Sequence, residues 1–290
     1  MPPASLDVTA PMMLSVTPES LPEILLRAGG YASPSGGRPG FRLPGAAALR
    51  FYQGLVRGVI ATLKAIRKGS EPRAALQLES LGLIPLIESC GGSVNIEGLE
   101  MLRGQAGPVI FASNHMSSLE TFMLPGIIFP FKDASFVVKR SLLGYPWLGD
   151  ILKATGAVAL ERANPRRDLE ELFEQGGQLL ARGRSLVLFP QSTRSDRFDG
   201  EAFNTIAVKL ARRTGFPLVP LALNTRFWGN GRWIKDLGPI RPGHPVRFAF
   251  GPPMAVTSGS GRAEHEQVLG FIADKLRAWE ADVAQYTAGG

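Results

Sequence analysis

The sequence is short of the residues that most often carry difficult chemistry. It has one cysteine, Cys90, so no internal disulfide can form, and the chain suits a reducing compartment. Three scattered histidines beside that one cysteine leave too few ligands for a multi-ligand site, so no metal is expected. There is no Gly-x-x-x-x-Gly-Lys, no complete Gly-x-Gly-x-x-Gly and no Gly-x-Ser-x-Gly. Those absences set aside a nucleotide phosphate loop, a dinucleotide-binding turn and a serine-hydrolase elbow. No apolar run reaches the roughly 18 residues that a simple spanning helix needs. The first residues lack the basic-then-apolar pattern of a secretory signal. Acid is missing locally: from Ile24 to Ser70 there is no Asp or Glu.

What is present begins with a hydrophobic fraction of 44% in 290 residues, which supports a substantial core. The net charge of +7 would attract nucleic acid, anionic membrane or anionic substrates. No dense Lys/Arg tract is interleaved with aromatics, so nucleic acid is not an expected partner.

Residues 1–44 are rich in Pro, Gly, Ala and Ser and read as an extended or flexible arm. One short helix is expected in it at Leu21–Ala28, started by a Ser20/Glu23 capping box and stopped by Gly29-Gly30. Residues 45–90 read as amphipathic helices. Leu49, Tyr52, Leu55, Val56, Val59, Leu63 and Ile66 recur at helical spacing, with Arg50, Arg57, Lys64 and Lys68 opposite. A second apolar stretch runs from Ala74 to Ile87 and is interrupted by Pro85. A basic, acid-free amphipathic helix suits an anionic membrane surface. Packing of both helices on the protein's own core accounts for the same pattern.

Residues 91–290 read as one domain. Strands are expected at Val94–Glu97, Val109–Ala112, Ser135–Lys139, Ala157–Glu161, Ser185–Phe189, Leu218–Leu223 and Val246–Phe250, several of them continuous apolar runs. Helices are expected at Leu119–Phe129, Pro146–Ala154, Asp168–Arg182, Thr205–Arg213 and Ala263–Tyr286. Val268, Phe271, Ile272, Leu276, Trp279 and Val283 share one side of the last. Strands alternating with helices give an α/β fold: a mixed, largely parallel sheet flanked by helices, with N-terminal amphipathic helices.

The stretch Phe111–Glu120 stands where a strand gives way to a helix, the usual place for chemistry in such folds. His115 and Glu120 are five residues apart, about 140° around a continuous helix, so they can meet only if His115 is still in the turn. The carboxylate would then fix one imidazole nitrogen and leave the other free to take a proton. Ser117-Ser118-Leu119-Glu120 is also a capping box, which explains the acid without any chemistry. About 75 residues later, a strand runs into the loop Pro190-Gln191-Ser192-Thr193-Arg194. Its amide, hydroxyls and guanidinium could hold a phosphate, or Arg194 could pair with Asp196 or Asp199.

Asn114-His115-x4-Glu120 followed by Phe189-Pro190-Gln191-Ser192-Thr193-Arg194-Ser195 resembles the PlsC-type glycerolipid acyltransferases, with their Asn-His-x4-Asp and Phe-Pro-Glu-Gly-Thr-Arg-Ser motifs. Val138-Lys139-Arg140-Ser141-Leu142, Pro146, Gly149 and Ala159-Leu160-Glu161-Arg162 are similar to the family's middle motif. Val219-Pro220-Leu221-Ala222 is similar to its last. The order is the family's, and the resemblance spans Ser93 to Met254. Three positions depart from it. Glu120 replaces Asp and is one methylene, about 1.5 Å, longer. Gln191-Ser192 replaces Glu-Gly, and Phe203-Asn204 stands where a Lys-Gly step is common.

The resemblance implies acyl transfer from acyl-CoA or acyl-carrier protein to the hydroxyl of a lysophospholipid, most simply 1-acyl-sn-glycerol 3-phosphate, at the cytoplasmic face of a membrane. His115 would be the general base and Glu120 its partner, without cofactor or metal and without a covalent intermediate. Arg194, helped by Lys139 and Arg162, would hold the acceptor's phosphate. Asn114, Ser117, Gln191, Ser192 and Thr193 complete the candidate substrate contacts. Backbone N–H groups near the helix start after Ser117 would serve the oxyanion. Two other readings keep the fold: a lipid-binding protein without turnover, and an esterase with water as acceptor.

Overall fold

The computed structural model describes residues 17–34, 45–191, 193–232, 235–257 and 259–288, with side chains to residue 282. The outer parts of the expected arm (1–16 and 35–44), Ser192 and the side chain of Val283 lie outside the described residues.

Helix α1 (Leu21–Ala28) has the expected bounds and ends on Gly29 in the left-handed region at φ 70°. Its start differs from expectation. The Ser20 hydroxyl donates to the Thr17 carbonyl at 3.0 Å and accepts from the Thr17 N–H at 3.0 Å, and makes no cap bond. Strand β1 (Tyr31–Ala32) then joins the sheet edge, so residues 17–34 are built into the fold. Helices α2 (Ala46–Arg67) and α3 (Pro72–Ser89) follow. Next come strand β2 (Val94–Glu97), the one-turn helix α4 (Glu100–Arg103), β3 (Ile110–Ser113) and α5 (Leu119–Ile128). After these come β4 (Ala134–Lys139), α6 (Leu148–Ala154) and β5 (Val158–Leu160). Helix α7 (Pro165–Glu171) passes through a π turn, Leu172–Gly176, into α8 (Gly177–Ala181). The chain closes with β6 (Ser185–Leu188), α9 (Ile206–Thr214), β7 (Leu218–Asn224), β8 (Val246–Phe250) and α10 (Arg262–Ala288). Helix α7 starts three residues before the apolar pattern does, because Asn164 accepts from the N–H groups of Arg166 and Arg167 and Pro165 presets the first turn.

The eight strands form one mixed sheet in the order β1-β2-β8-β7-β3-β6-β4-β5, as expected for the fold class. Only β1–β2 and β7–β8 pair antiparallel. Strands β3, β6 and β7 are buried along their whole length, which is why they read as unbroken apolar runs.

Helices α2 and α3 pack on this body. Phe51 of α2 is fully buried and meets Phe227 and Trp228 edge-on. Trp228 Nε1 donates to the Tyr52 hydroxyl at 3.0 Å, and that hydroxyl donates to the Gly238 carbonyl. Helix α3 lies against α5 so closely that a Cβ on Gly126 would stand 2.9 Å from the Leu81 backbone nitrogen. The apolar side of α2 is therefore divided: Phe51 and Leu63 face the core, while Leu49, Val56 and Ile60 are exposed. No helix of the described residues is long and apolar enough to cross a membrane.

Candidate active site

Strands β3, β4, β5, β6 and β7 run parallel, so their carboxyl ends share one edge of the sheet. The chain leaves β3 toward β4 on one side and leaves β6 toward β7 on the other. A crevice opens between neighbouring strands where connections diverge in this way. His115 follows β3 and Phe189–Gln191 follow β6, so the two sequence constellations meet there.

The β3–β7 ladder ends at Ser113 and Leu221. Beyond it, the Asn114 side chain takes over the backbone of Leu223: Nδ2 donates to its carbonyl and Oδ1 accepts from its N–H, both at 2.9 Å. Asn114, expected among the substrate contacts, is fully buried and clamps the turn with both ends of its amide on Leu223. The His115 N–H donates to Gln191 Oε1 at 2.9 Å, and the His115 carbonyl accepts from the Ser195 N–H at 3.0 Å. The loop after β6 thus holds the histidine backbone from both sides. Its ring stacks on Phe189 with centroids 4.3 Å apart and planes at 23°.

His115 Nδ1 lies 2.8 Å from Glu120 Oε1. Because a carboxylate only accepts, Nδ1 carries the proton and Nε2 offers its lone pair. Nε2 makes no hydrogen bond to a described residue. Glu120 is fully buried and saturated with donors. Oε1 also accepts from the Met116 and Ser117 N–H groups at 2.6 and 2.9 Å. The Thr225 hydroxyl donates to Oε2 at 2.6 Å, and the Ser117 hydroxyl lies 3.1 Å from that oxygen. Burial alone would raise this carboxyl's pKa, but the hydrogen bond and charge of His115, then Thr225 and the backbone, outweigh it and hold it below the usual range. The capping box and the His–Glu pair are therefore one arrangement, in which a single carboxylate closes the helix start and fixes the imidazole.

Ser117, expected among the substrate contacts, sits behind Glu120, bonded to it and to Thr225, and is buried, so it supports the carboxylate. The N–H groups of Met116 and Ser117 serve Glu120 and that of Leu119 serves Ser117 Oγ. The oxyanion donors expected at the helix start are thus already engaged.

The expected cations fall into two groups. A cleft of about 700 Å³ runs from Phe189 and Gln191 past Lys139, Arg162 and Lys209, over a floor of Val137, Leu160, Leu188 and Ile206. Arg162 has the rare φ of 58° and its N–H donates to Asp168 Oδ1 at 3.1 Å. Partial burial lowers its guanidinium pKa, and Asp168 opposes that. Arg194, expected to act with Lys139 and Arg162, does not line this cleft. Its partner is neither Asp196 nor Asp199. Nη1 contacts the Ser118 hydroxyl and lies 2.5 Å from Asp236 Oδ1. Beside it, Lys235 Nζ donates to the Thr193 hydroxyl at 3.0 Å. Among the described residues, no group of three or more His, Cys, Asp or Glu could hold a metal ion.

Sequence reasoning missed Thr225, Lys209, Lys235 and Asp236. Thr225 follows β7, and its place beside Glu120 is visible only once β7 is known to run parallel to β3. The other three carry no local motif.

Residues 93–224 match the family model described as Acyltransferase. A 1-acyl-sn-glycerol-3-phosphate acyltransferase of Pseudomonas aeruginosa is 33% identical over 188 residues, covering 64% of this chain and 67% of that protein. A chloroplastic 1-acyl-sn-glycerol-3-phosphate acyltransferase of Arabidopsis thaliana is 34% identical over 130 residues, 45% of this chain and 35% of that protein. The chain thus spans about two thirds of the first relative and about a third of the second. Among solved structures, the 1-acyl-sn-glycerophosphate acyltransferase PlsC of Thermotoga maritima matches with a TM-score of 0.59 at 20% identity, covering 81% of this chain and 95% of that one, a likeness of fold.

Proposed function

This chain belongs to the PlsC-type acyltransferase family, and on that premise we propose that it acylates 1-acyl-sn-glycerol 3-phosphate, with His115 as general base, at the cytoplasmic face of a membrane. The observation that carries this reading is the Glu120 carboxylate on His115 Nδ1, which leaves Nε2 as the only basic nitrogen of the ring. An alcohol is a poor nucleophile until a base takes its proton. The hydroxyl attacks the thioester carbonyl as Nε2 accepts that proton, Glu120 stabilises the imidazolium, and the thiolate leaves and takes the proton back. The thioester is already activated, so the chemistry calls for no cofactor.

Two phosphate-bearing substrates meet in this reaction, and there are two cation groups: one lines the cleft that Phe189 and Gln191 share with His115, the other is at Arg194. In the acceptor, the phosphate is only a few bonds from the reacting hydroxyl. Arg194, which touches Ser118 three residues from the base, is the nearer fit. In the thioester, the pantetheine arm separates phosphate from carbonyl by a long reach. The cleft with Lys139, Arg162 and Lys209 along it suits that arm. The exposed Leu49, Val56 and Ile60 of α2, with Arg57 and Lys64 near them, give the molecule a face toward anionic lipid.

A matrix of donors and acceptors tests the reading. Purified protein should release thiol from acyl-CoA or acyl-carrier protein only with a lysophospholipid present, and fastest with the phosphomonoester. Release without acceptor would make it an esterase, and no release with any pair would leave a lipid-binding protein. Arg162→Ala should raise KM for the thioester donor, and an unchanged donor KM would remove the cleft from donor binding.

A further inference from the structure

We infer that Asp236 is an internal anion seated in the phosphate cradle of Arg194, and that the acceptor's phosphate must exchange with it to bind. This rests on the reading of Arg194 as the acceptor's phosphate site. The cradle is assembled from three stretches of chain. Ser118 comes from the turn before α5, Thr193 and Arg194 from the loop after β6, and Lys235 from the segment after β7. Two of its donors, Ser118 and Arg194, converge on one carboxylate, while Lys235 donates to Thr193. Asp236 Oδ1 accepts from the Ser118 hydroxyl at 2.5 Å and from Arg194 Nη1 at 2.5 Å, with the Lys235 charge beside it. A hydroxyl and a guanidinium bonded to one oxyanion, with an ammonium charge near it, make a donor set suited to a phosphate monoester.

The two partners differ in how firmly they are held. The Arg194 side chain is 18% exposed, whereas that of Asp236 is 57% exposed. The cation is thus the more enclosed partner, and the carboxylate has solvent beside it into which its side chain can rotate. The backbone beside Asp236 is anchored, because the Gly238 carbonyl accepts from the Tyr52 hydroxyl of α2. Exchange therefore needs no movement of the fold. A dianionic phosphate competes with a monoanionic carboxylate for the same donors, whereas weaker anions do not displace it. Asp236 would thus set how strongly a head group must bind and would favour phosphomonoester acceptors.

Ligand affinity for a site that is mostly occupied falls by the fraction left free. Removing Asp236 should therefore lower the acceptor KM by about tenfold if the carboxylate holds the cradle nine times in ten. The experiment measures kcat and KM for lysophosphatidate, and competitive inhibition by inorganic phosphate and glycerol 3-phosphate, in wild type, Asp236→Ala, Asp236→Asn and Arg194→Ala. The proposal expects both Asp236 variants to show a lower acceptor KM and stronger inhibition by phosphate, with the change in KM and not in kcat. A raised or unchanged KM in them would overturn it and make Asp236 a support that orients Arg194. Arg194→Ala tests the underlying reading separately: it should raise the acceptor KM and abolish phosphate inhibition. If it does neither, the phosphate lies elsewhere and the proposal falls with that reading.

Discussion

At the scale of single residues, Glu120 carries two tasks that a sequence can only present as alternatives. A capping box accepts Gln at this position about as well as Glu, so the sequence alone forecasts a folded Glu120→Gln protein. The geometry changes that forecast. Both Glu120 oxygens face donors, and an amide would turn its NH₂ toward N–H or O–H groups. Glu120→Gln should lose about 3 kcal/mol of stability as well as turnover, read by denaturant unfolding beside initial rates. Thr225→Val is the gentler probe. It removes one 2.6 Å hydrogen bond from Oε2 and should lower kcat with little change in KM. Its pH behaviour follows from the sign of the Glu120 shift. The folded pKa lies below the unfolded value of about 4.3, so the ionised carboxylate stabilises the fold above that pH and the contribution is lost as pH falls through the folded pKa. Thr225 is one of the groups lowering that pKa. Wild type should therefore exceed Thr225→Val in stability most at neutral pH, and the gap should narrow in acid. Unfolding curves at pH 3–7 check this, and a constant gap would place the Thr225 contribution outside the carboxylate.

At the scale of elements, the alternating pattern was enough for most of the sheet. Val94–Glu97 and Val246–Phe250 form strands with the expected bounds, because their apolar runs end at sharp polar or glycine boundaries. What no pattern could supply was the pairing. Whether β7 lies beside β3, and therefore whether Thr225 reaches Glu120, depends on contacts between residues more than a hundred positions apart. Asp236 was illegible for the same reason: its partner Arg194 is 42 residues away. The apolar side of α2 was legible as a pattern, but not its division into a core half at Phe51 and an exposed half at Leu49, Val56 and Ile60. Phe227 and Trp228 bury Phe51, and α3 packs beside α2 while lying close to α5 at Gly126. Gly126→Ala gains helix propensity, but its Cβ meets backbone at 2.9 Å, so it should destabilise by about 1–3 kcal/mol. Thermal unfolding reads the sign, and a stabilised variant would mean that α3 shifts freely on α5.

At the scale of the whole molecule, helix α2 and the sheet edge that carries the candidate site pack together. Phe51, Phe227, Trp228 and Tyr52 tie α2 to the segment that carries Asp236. Deleting residues before Glu71 would therefore open the core and confuse membrane binding with unfolding. Leu49→Ser, Val56→Ser and Ile60→Ser together touch only the exposed stripe. That triple variant should float less with anionic vesicles while its thermal unfolding stays near wild type, and undiminished flotation would move the lipid face elsewhere. If this edge transfers an acyl group, His115 is the base that starts it. The most direct measurement is the rate of phosphatidate formation and thiol release, at saturating thioester and lysophosphatidate, by wild type and a folded His115→Ala variant. Wild type should form both products in equal amounts, and the variant should lose about 10²–10⁴-fold in rate. Turnover by His115→Ala near the wild-type rate would contradict that role.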